Sequence, residues 1–460
     1  MENASVVNAG ARLDRLPISR FHYRMLWLIG AGALMDAFDL YLAGGVMAKM
    51  VEDGFSTVAA NASFLSAGFF GMLVGAGFAG YFGDRFGRRY SYQTNLLIFG
   101  LASLAGAFAP SIGVLTALRF VMGLGLGAEI VVASGTLCEF VPPSHRGRWI
   151  SLLVIIVNLG FLASTIISYF VIPALGWRWM FGIAAVGALA VWVARKGMPE
   201  SPRWLESVGK SKEAERTLRQ IEASVEVQHG PLPPVNRIDD VKTAPVSIAA
   251  LFAPDMLART VVASLIVVAT LVTIFSFVAW LPTFMVKEGF SVVKSLGFST
   301  LMSFGGPLGG ILGFCLSDRM PRRRSIVSVC ALVIALGLLY PTVHQSAAIV
   351  GMGFALVTAI YTLVALGMYT YVPELFPTAL RLRGTGFASV CGRGASIVSP
   401  YLVVLVFSRF GLSGVLMAVV GLLALLIIAV LAIGVETASS SLENISEMAV
   451  GPSPSVVTSE

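Results

Sequence analysis

Five charged residues fall inside long apolar stretches: Asp36, Asp39, Arg119, Glu129 and Arg393. A charged side chain at mid-bilayer costs roughly 2.5–3.5 kcal/mol on insertion scales, so each needs a partner or a task. Asp36 and Asp39 are three residues apart and share one face of a helix. Two carboxylates that close do not both ionise readily, so one is expected to hold a proton, as a proton carrier must. The plainer alternative is a static pair with Arg119. Glu129, ten residues before Glu139, lies deep enough to be a second proton-coupling candidate. Arg393 presents a permanently charged planar fork, which suits either a substrate carboxylate or a fixed acid. Arg119 is a second candidate contact for the same anion. Nothing else resembles a reaction centre. Cys138, Cys315, Cys330 and Cys391 stand singly in apolar runs and only four histidines are present, so no metal, disulfide framework or cofactor is expected.

The elements that carry these charges follow from composition. The chain has 460 residues, 56% hydrophobic and 12% charged. A soluble domain carries roughly 25% charged residues to cover its surface, so lipid has to be the solvent for most of this chain. The net charge of +7 does not point to nucleic acid, because the 32 Lys and Arg lie between apolar blocks and not on one basic domain. Gly209-Lys210-Ser211 looks like the end of a phosphate-binding loop, but Trp204 stands where its first glycine belongs and no strand precedes it.

Stretches of about 20 apolar residues, enough to span a bilayer, are centred near Met35, Gly71, Gly100, Gly125, Asn158, Val186, Thr270, Gly305, Ala335, Ala359, Gly392 and Ala424. The fold class is therefore an all-α polytopic membrane protein of twelve transmembrane helices. With the N-terminus inside, 25 of the 32 basic residues fall on the cytoplasmic side, five on the other, and Arg119 and Arg393 within helices. That asymmetry predicts cytoplasmic termini in a cell (inner) membrane. The first apolar block follows more than twenty polar residues with four arginines and contains two aspartates, so it reads as a retained helix and not a cleaved signal. The expected organisation is a cytoplasmic N-terminal tail over 1–24, a six-helix bundle over 25–194 and a central cytoplasmic loop over 195–258. A second six-helix bundle over 259–436 and a disordered tail over 437–460 complete it. Within the central loop, 201–223 reads as one or two short surface helices.

Two polar motifs occur twice. Asp84-Arg85-Phe-Gly87-Arg88-Arg89 recurs as Asp318-Arg319-Met-Pro321-Arg322-Arg323, an offset of 234. Glu139-Phe-Val-Pro142, followed by Arg146 and Arg148, recurs as Glu374-Leu-Phe-Pro377, followed by Arg381 and Arg383, an offset of 235. Basic loops after helices explain the charges but not a shared spacing. The halves are thus a duplication, two pseudo-symmetric six-helix bundles.

These residues resemble the major facilitator superfamily along nearly the whole chain. Gly80, Asp84, Arg85, Gly87, Arg88 and Arg89 fit its G-x-x-x-D-R-x-G-R-R loop, and Arg119-x-x-x-Gly123-x-Gly125-x-Gly127 its fourth-helix motif, where glycines permit close packing. Pro199-Glu200-Ser-Pro-Arg203, Pro373-Glu374-Leu-Phe-Pro377-Thr, and Glu436-Thr437 with Leu442-Glu443 resemble the sugar-porter branch. Asp36-Ala-Phe-Asp39 is more similar to the D-x-x-D of aromatic-acid:proton symporters and niacin-type transporters. The second loop copy has Phe314 for the early glycine and Pro321 for Gly87, and the sugar porters' P-E-T-K-G-R becomes Val435-Glu-Thr-Ala-Ser-Ser. The resemblance implies that Asp84 meets the start of helix eleven near Arg383 and Gly384. There it would latch the halves on the inside, with Arg85, Arg88, Glu139, Arg148, Asp318 and Glu374 as further gating residues. The plainer reading of these loops is a topology signal.

The expectation is a secondary active transporter, not an enzyme, coupling protons to symport of a small organic anion such as an aromatic carboxylate by alternating access, the expected partners being substrate, protons and lipid for a functional monomer. A sugar or polyol:proton symporter and a proton-antiport exporter are the alternatives. A transporter-like sensor would need a signalling domain larger than the central loop.

Overall fold

The computed structural model describes residues 7–235, 247–317, 319–377 and 380–437, the side chains at 80–82, 84, 130, 131 and 255 excepted. Among the described residues there is no strand. Every backbone N–H in lipid has to find its partner within the protein, and the helix does this locally. The chain divides into two compact units, Met1–Val241 and Lys242–Glu460.

The first unit holds α1 (Arg20–Glu52), α2 (Val58–Phe86), α3 (Arg88–Ala107), α4 (Ile112–Phe140), α5 (Arg146–Leu175) and α6 (Arg178–Ala194). The Thr57 side chain caps α2 by accepting from the Ala60 N–H (3.1 Å), and Ser111 does the same for α4 from Val114 (3.4 Å). α2 packs against α4, α1 against α5, and α3 against α4 and α6. Glycine sets the α2/α4 approach. A Cβ at Gly71 would lie 2.1 Å from the Phe120 carbonyl, and one at Gly127 would lie 2.0 Å from that of Met72.

The second unit holds α7 (Pro254–Phe277), α8 (Val292–Ser317), α9 (Arg322–Leu339) and α10 (Ser346–Glu374), the last containing a π-helical stretch over Val364–Tyr371. The helix Arg381–Ile433 is two spans, α11 (381–410) and α12 (412–433), because Gly411 takes φ +62°, which is open to glycine without strain. Ten helical stretches are long and apolar enough to cross a membrane on their own. The twelve spans follow because Arg381–Ile433 supplies two and because α3, with Arg88, Arg89, Gln93 and Asn95 in its first turns, is too polar to register alone.

Within the tail expected over 1–24, residues 7–19 are folded against the first unit. A short helix over Ala9–Asp14 buries Ala9 and Leu13, and Leu16 follows them into a cluster with Ala214, Leu218, Ile221 and Val225 of the helix Ser211–His229. The arginines of this stretch are paired with acids. Arg12 binds Glu215 and Glu222, and Arg15 binds Glu222 (2.7 Å). Asp14 takes Arg146 (3.1 Å) and Arg203 (2.5 Å). α1 accordingly starts at Arg20, and the Ser19 N–H donates to His22 Nδ1 (3.2 Å).

Candidate functional site

The interior of the first unit gathers four of the five predicted membrane charges and adds one. α1 places Asp36 and Asp39 on one face, α4 supplies Arg119 and Glu129, and Arg195 enters from the turn that ends α6. The Arg119 guanidinium donates to Asp39 Oδ2 (2.5 Å) and to the Asp39 carbonyl (3.1 Å), and lies over the Phe64 ring. Arg119 thus pairs with Asp39 within its own unit. Arg195 donates to Glu129 Oε1 (2.5 Å) and to the carbonyls of Leu28 (2.7 Å) and Ile29 (2.8 Å), with its guanidinium 4.5 Å from the Tyr92 ring centre. Asp36 is buried, makes no ion pair among the described residues, and has an Oδ2 with no hydrogen-bond partner.

Arg195 is the residue that sequence reasoning missed. It was counted with the central loop, yet it is 1% exposed. Its signal was available: a basic residue directly after the sixth apolar run, in a chain with an unmatched Glu129. Gly32 makes room for the pair, since a Cβ there would lie 2.0 Å from Arg195 Nη2 and 2.5 Å from Glu129 Oε1.

In the second unit Arg393 is half-buried on α11, next to Gly392, where that helix crosses α7 at Val267 and Leu271. Tyr369, within the π-helical stretch of α10, lies in its electrostatic reach. Among the described residues the acids of this unit are Glu288, Glu374 and Glu436, which lie at helix ends or beyond, and Asp255, placed by its backbone in the first turn of α7. On α7 and its continuation, the hydroxyls of Thr270, Thr273 and Thr283 and the Trp280 indole N–H are buried without hydrogen-bond partners. Tyr361 and Asn158 are buried in α10 and α5.

The loop residues form two matching clusters. In the first unit Arg88 pairs with Glu139 at the end of α4 (2.9 Å). Glu200 accepts from the backbone N–H groups of Arg88 (2.9 Å) and Arg89 (3.1 Å), a carboxylate on the positive end of α3. Burial pushes the Glu200 carboxyl above its usual range, against the pull of those N–H groups. In the second unit Arg322 makes two bonds to Glu374 (both 3.0 Å), and Glu436 accepts from the N–H groups of Arg322 (2.7 Å) and Arg323 (3.2 Å). The Glu200/Glu436 offset of 236 is a third copy of the repeat that sequence reading had not paired. Gly87, at φ +96°, leads into α3, and Pro321, at φ −55°, leads into α9, so the two copies reach one cap by different backbones.

The remaining gating candidates scatter. Arg85 is exposed with its guanidinium over Phe86, Arg148 is exposed in the first turn of α5, and Arg383 is half-buried in the first turn of α11. The backbone of Asp84 belongs to α2 while its side chain lies outside the described residues, as does the whole of Asp318, and Glu443 falls beyond them too.

A family model described as "Sugar (and other) transporter" matches residues 28–449. The chain is 37% identical to the inner membrane metabolite transport protein YdjE of Escherichia coli K12, covering 95% of this chain and 98% of that one. It is 34% identical to the niacin transporter NiaP of Acinetobacter baylyi, covering 95% and 99%. A crystal structure of a D-xylose–proton symporter superimposes with a TM-score of 0.69 over 90% of this chain and 98% of that one, at 18% identity, which is a likeness of fold. With its twelve helices in two repeated halves, the chain is a multi-pass membrane protein that belongs to the sugar (and other) transporter family of the major facilitator superfamily, a family of transporters and not of enzymes.

Proposed function

We propose that the chain is a proton-coupled symporter of a small organic anion, most simply an aromatic carboxylate, working as a monomer in the inner membrane with both termini cytoplasmic. The observation that carries this reading is Arg393, a guanidinium well inside a membrane-spanning helix that makes no ion pair among the described residues. A permanent cation there is costly unless an anion visits it. Tyr369 beside it, and the unpartnered Thr270 and Thr273 hydroxyls on the neighbouring helix, supply further hydrogen-bonding groups for a polar ligand. The niacin transporter relative carries a ligand of this chemistry, a small aromatic acid. The buried carboxylates Asp36, Asp39 and Glu129 are the proton-coupling groups. Arg119 serves the anion through Asp39, by releasing or retaining that carboxylate as the cycle proceeds. Asp84, Arg85, Arg88, Glu139, Arg148, Asp318, Glu374 and Arg383 act as the gate, and Asp84→Asn should slow transport while leaving insertion intact.

Proteoliposomes with an imposed pH gradient test the reading. A panel of labelled aromatic acids, their neutral amides, and sugars should show accumulation of an acid, driven by an inward proton gradient with the outside more acid. Accumulation of an uncharged sugar in preference to every acid would make the sugar:proton symporter the function, and uptake only under an opposite gradient would make it an exporter.

A further inference from the structure

Among the described residues, the membrane interior of the first unit holds three buried carboxylates, Asp36, Asp39 and Glu129, against two buried guanidiniums, Arg119 and Arg195. Asp39 is matched by Arg119 and Glu129 by Arg195, each at 2.5 Å. Asp36 is left over, 5% exposed, with Oδ2 unpartnered. The charged groups that face it are Glu129 from α4, Arg195 from the end of α6 and Asp39 from its own helix. From α3 the titratable neighbour of this cluster is Tyr92, whose hydroxyl is committed to the Val132 carbonyl (3.1 Å). An ionised carboxylate buried without a cation is far costlier than its protonated form.

We propose that this cluster carries a single proton, held on Asp36, and that Arg195 is the positioning residue that keeps it there by holding Glu129 ionised. Arg195 does not move to Asp36 at little cost. It is tied to Glu129 and to the Leu28 and Ile29 carbonyls, and it passes α1 at Gly32, one turn before Asp36. Glu129 Oε2 is buried without a partner and is the empty acceptor. When Arg195 exchanges Glu129 for Asp36, the O–H bond on Asp36 breaks, a new O–H bond forms on Glu129 Oε2, and no net charge is created. The next residue along connects this exchange to the loop cluster, because the Lys196 carbonyl accepts from Arg89 Nη2 (2.7 Å) and Glu200 caps α3 beyond it. A rearrangement of that loop would displace Arg195. This deepens the proton-coupled reading and rests on it for its physiological use, but the proton count can be read without transport.

Infrared difference spectroscopy of the purified full-length protein, reconstituted in lipid nanodiscs, resolves the carbonyl stretch of protonated buried carboxylic acids, assigned by subtraction between variants. Wild type should carry one such band that Asp36→Asn removes. Glu129→Gln should also remove it, because two acids then face two arginines. Arg195→Lys should keep one band and Arg195→Gln should show two. Persistence of the band in Asp36→Asn, or a single band in Arg195→Gln, overturns the proposal. If Arg195→Gln does not fold, the Asp36→Asn and Glu129→Gln pair decides the count. Uptake measured in parallel separates the two ideas: the expected bands without gradient-driven accumulation leave the proton on Asp36 and reject symport. Gradient-driven accumulation with the wrong bands does the reverse.

Discussion

Arg393 and Gly32 show how a single position sets what a membrane interior tolerates. Loss of one charge-assisted contact costs about 1.5–3 kcal/mol, or roughly ten- to a hundredfold in affinity. Arg393→Gln should therefore weaken binding of a carboxylate substrate by that factor and leave the matching neutral amide almost unchanged. Arg393→Lys should recover only part, since a point charge replaces a bidentate fork. Equal losses for acid and amide in a binding titration would remove Arg393 from the anion site. At Gly32 the argument is steric. A methyl group occupies the space of the Arg195–Glu129 pair, and parting a buried ion pair costs about 3–5 kcal/mol, against about 1 kcal/mol gained in helix propensity. Gly32→Ala should lower the thermal unfolding midpoint clearly. Gly77→Ala, where a Cβ meets nothing within 4 Å, should leave it level or raise it. Matching midpoints for the two variants would show that the pair does not depend on that gap.

At the scale of elements, short segments next to the spans do more than connect them. The stretch 7–19 straps the helix Ser211–His229 to the start of α5 through Arg12, Asp14 and Arg15, with Glu206 accepting from the Asn8 and Ala9 N–H groups (both 2.8 Å). Burial alone would raise Glu222 and Glu215, but the hydrogen bonds from Arg12, with help from Arg15 and Arg219, bring both carboxyls below their usual range. A folded-state pKa that is depressed contributes stability present above the unfolded value, about 4.3 for glutamate, and lost as pH falls through the folded one. Hydrogen exchange, corrected for its intrinsic pH dependence, should therefore show 7–19 losing protection below about pH 4, ahead of α1. Simultaneous loss in both would mean that the strap is held by its apolar contacts through Ala9, Leu13 and Leu16 instead.

The whole molecule is two copies of one plan. Each unit begins its third span, α3 or α9, under a carboxylate cap contributed from beyond its sixth, and each pairs the first arginine of that span with a glutamate from the end of the fourth. Where the copies differ is in charge: the first interior holds acids in excess of arginines, and the second holds Arg393. If the basic loops lie inside the cell, reporter fusions at the N-terminus, in the segment 236–246 and at the C-terminus should all report cytoplasm. A periplasmic signal from the central fusion would contradict the orientation drawn from the basic residues.

Much of this was legible in the chain alone, because it depends on local properties. Apolar length sets the spans, and the spacing of Asp36 and Asp39 puts them on one helical face whatever packs there. The motif offsets expose the duplication without coordinates. Tertiary structure decided the pairings. Arg195 and Glu129 are 66 residues apart, and Arg119 and Asp39 are 80 apart. Which carboxylate each arginine neutralises follows from where helices cross and where a glycine lets a guanidinium through, which no local pattern records. The strap was hidden for a related reason. Arg12 and Arg15 count only as cytoplasmic basic residues until their acids are brought beside them, although Ala9, Leu13 and Leu16 already carried a buried helical spacing. Asp36 became distinct from Asp39 only when one of them was found to have a cation and the other none, a difference made by the fold and not by the residues.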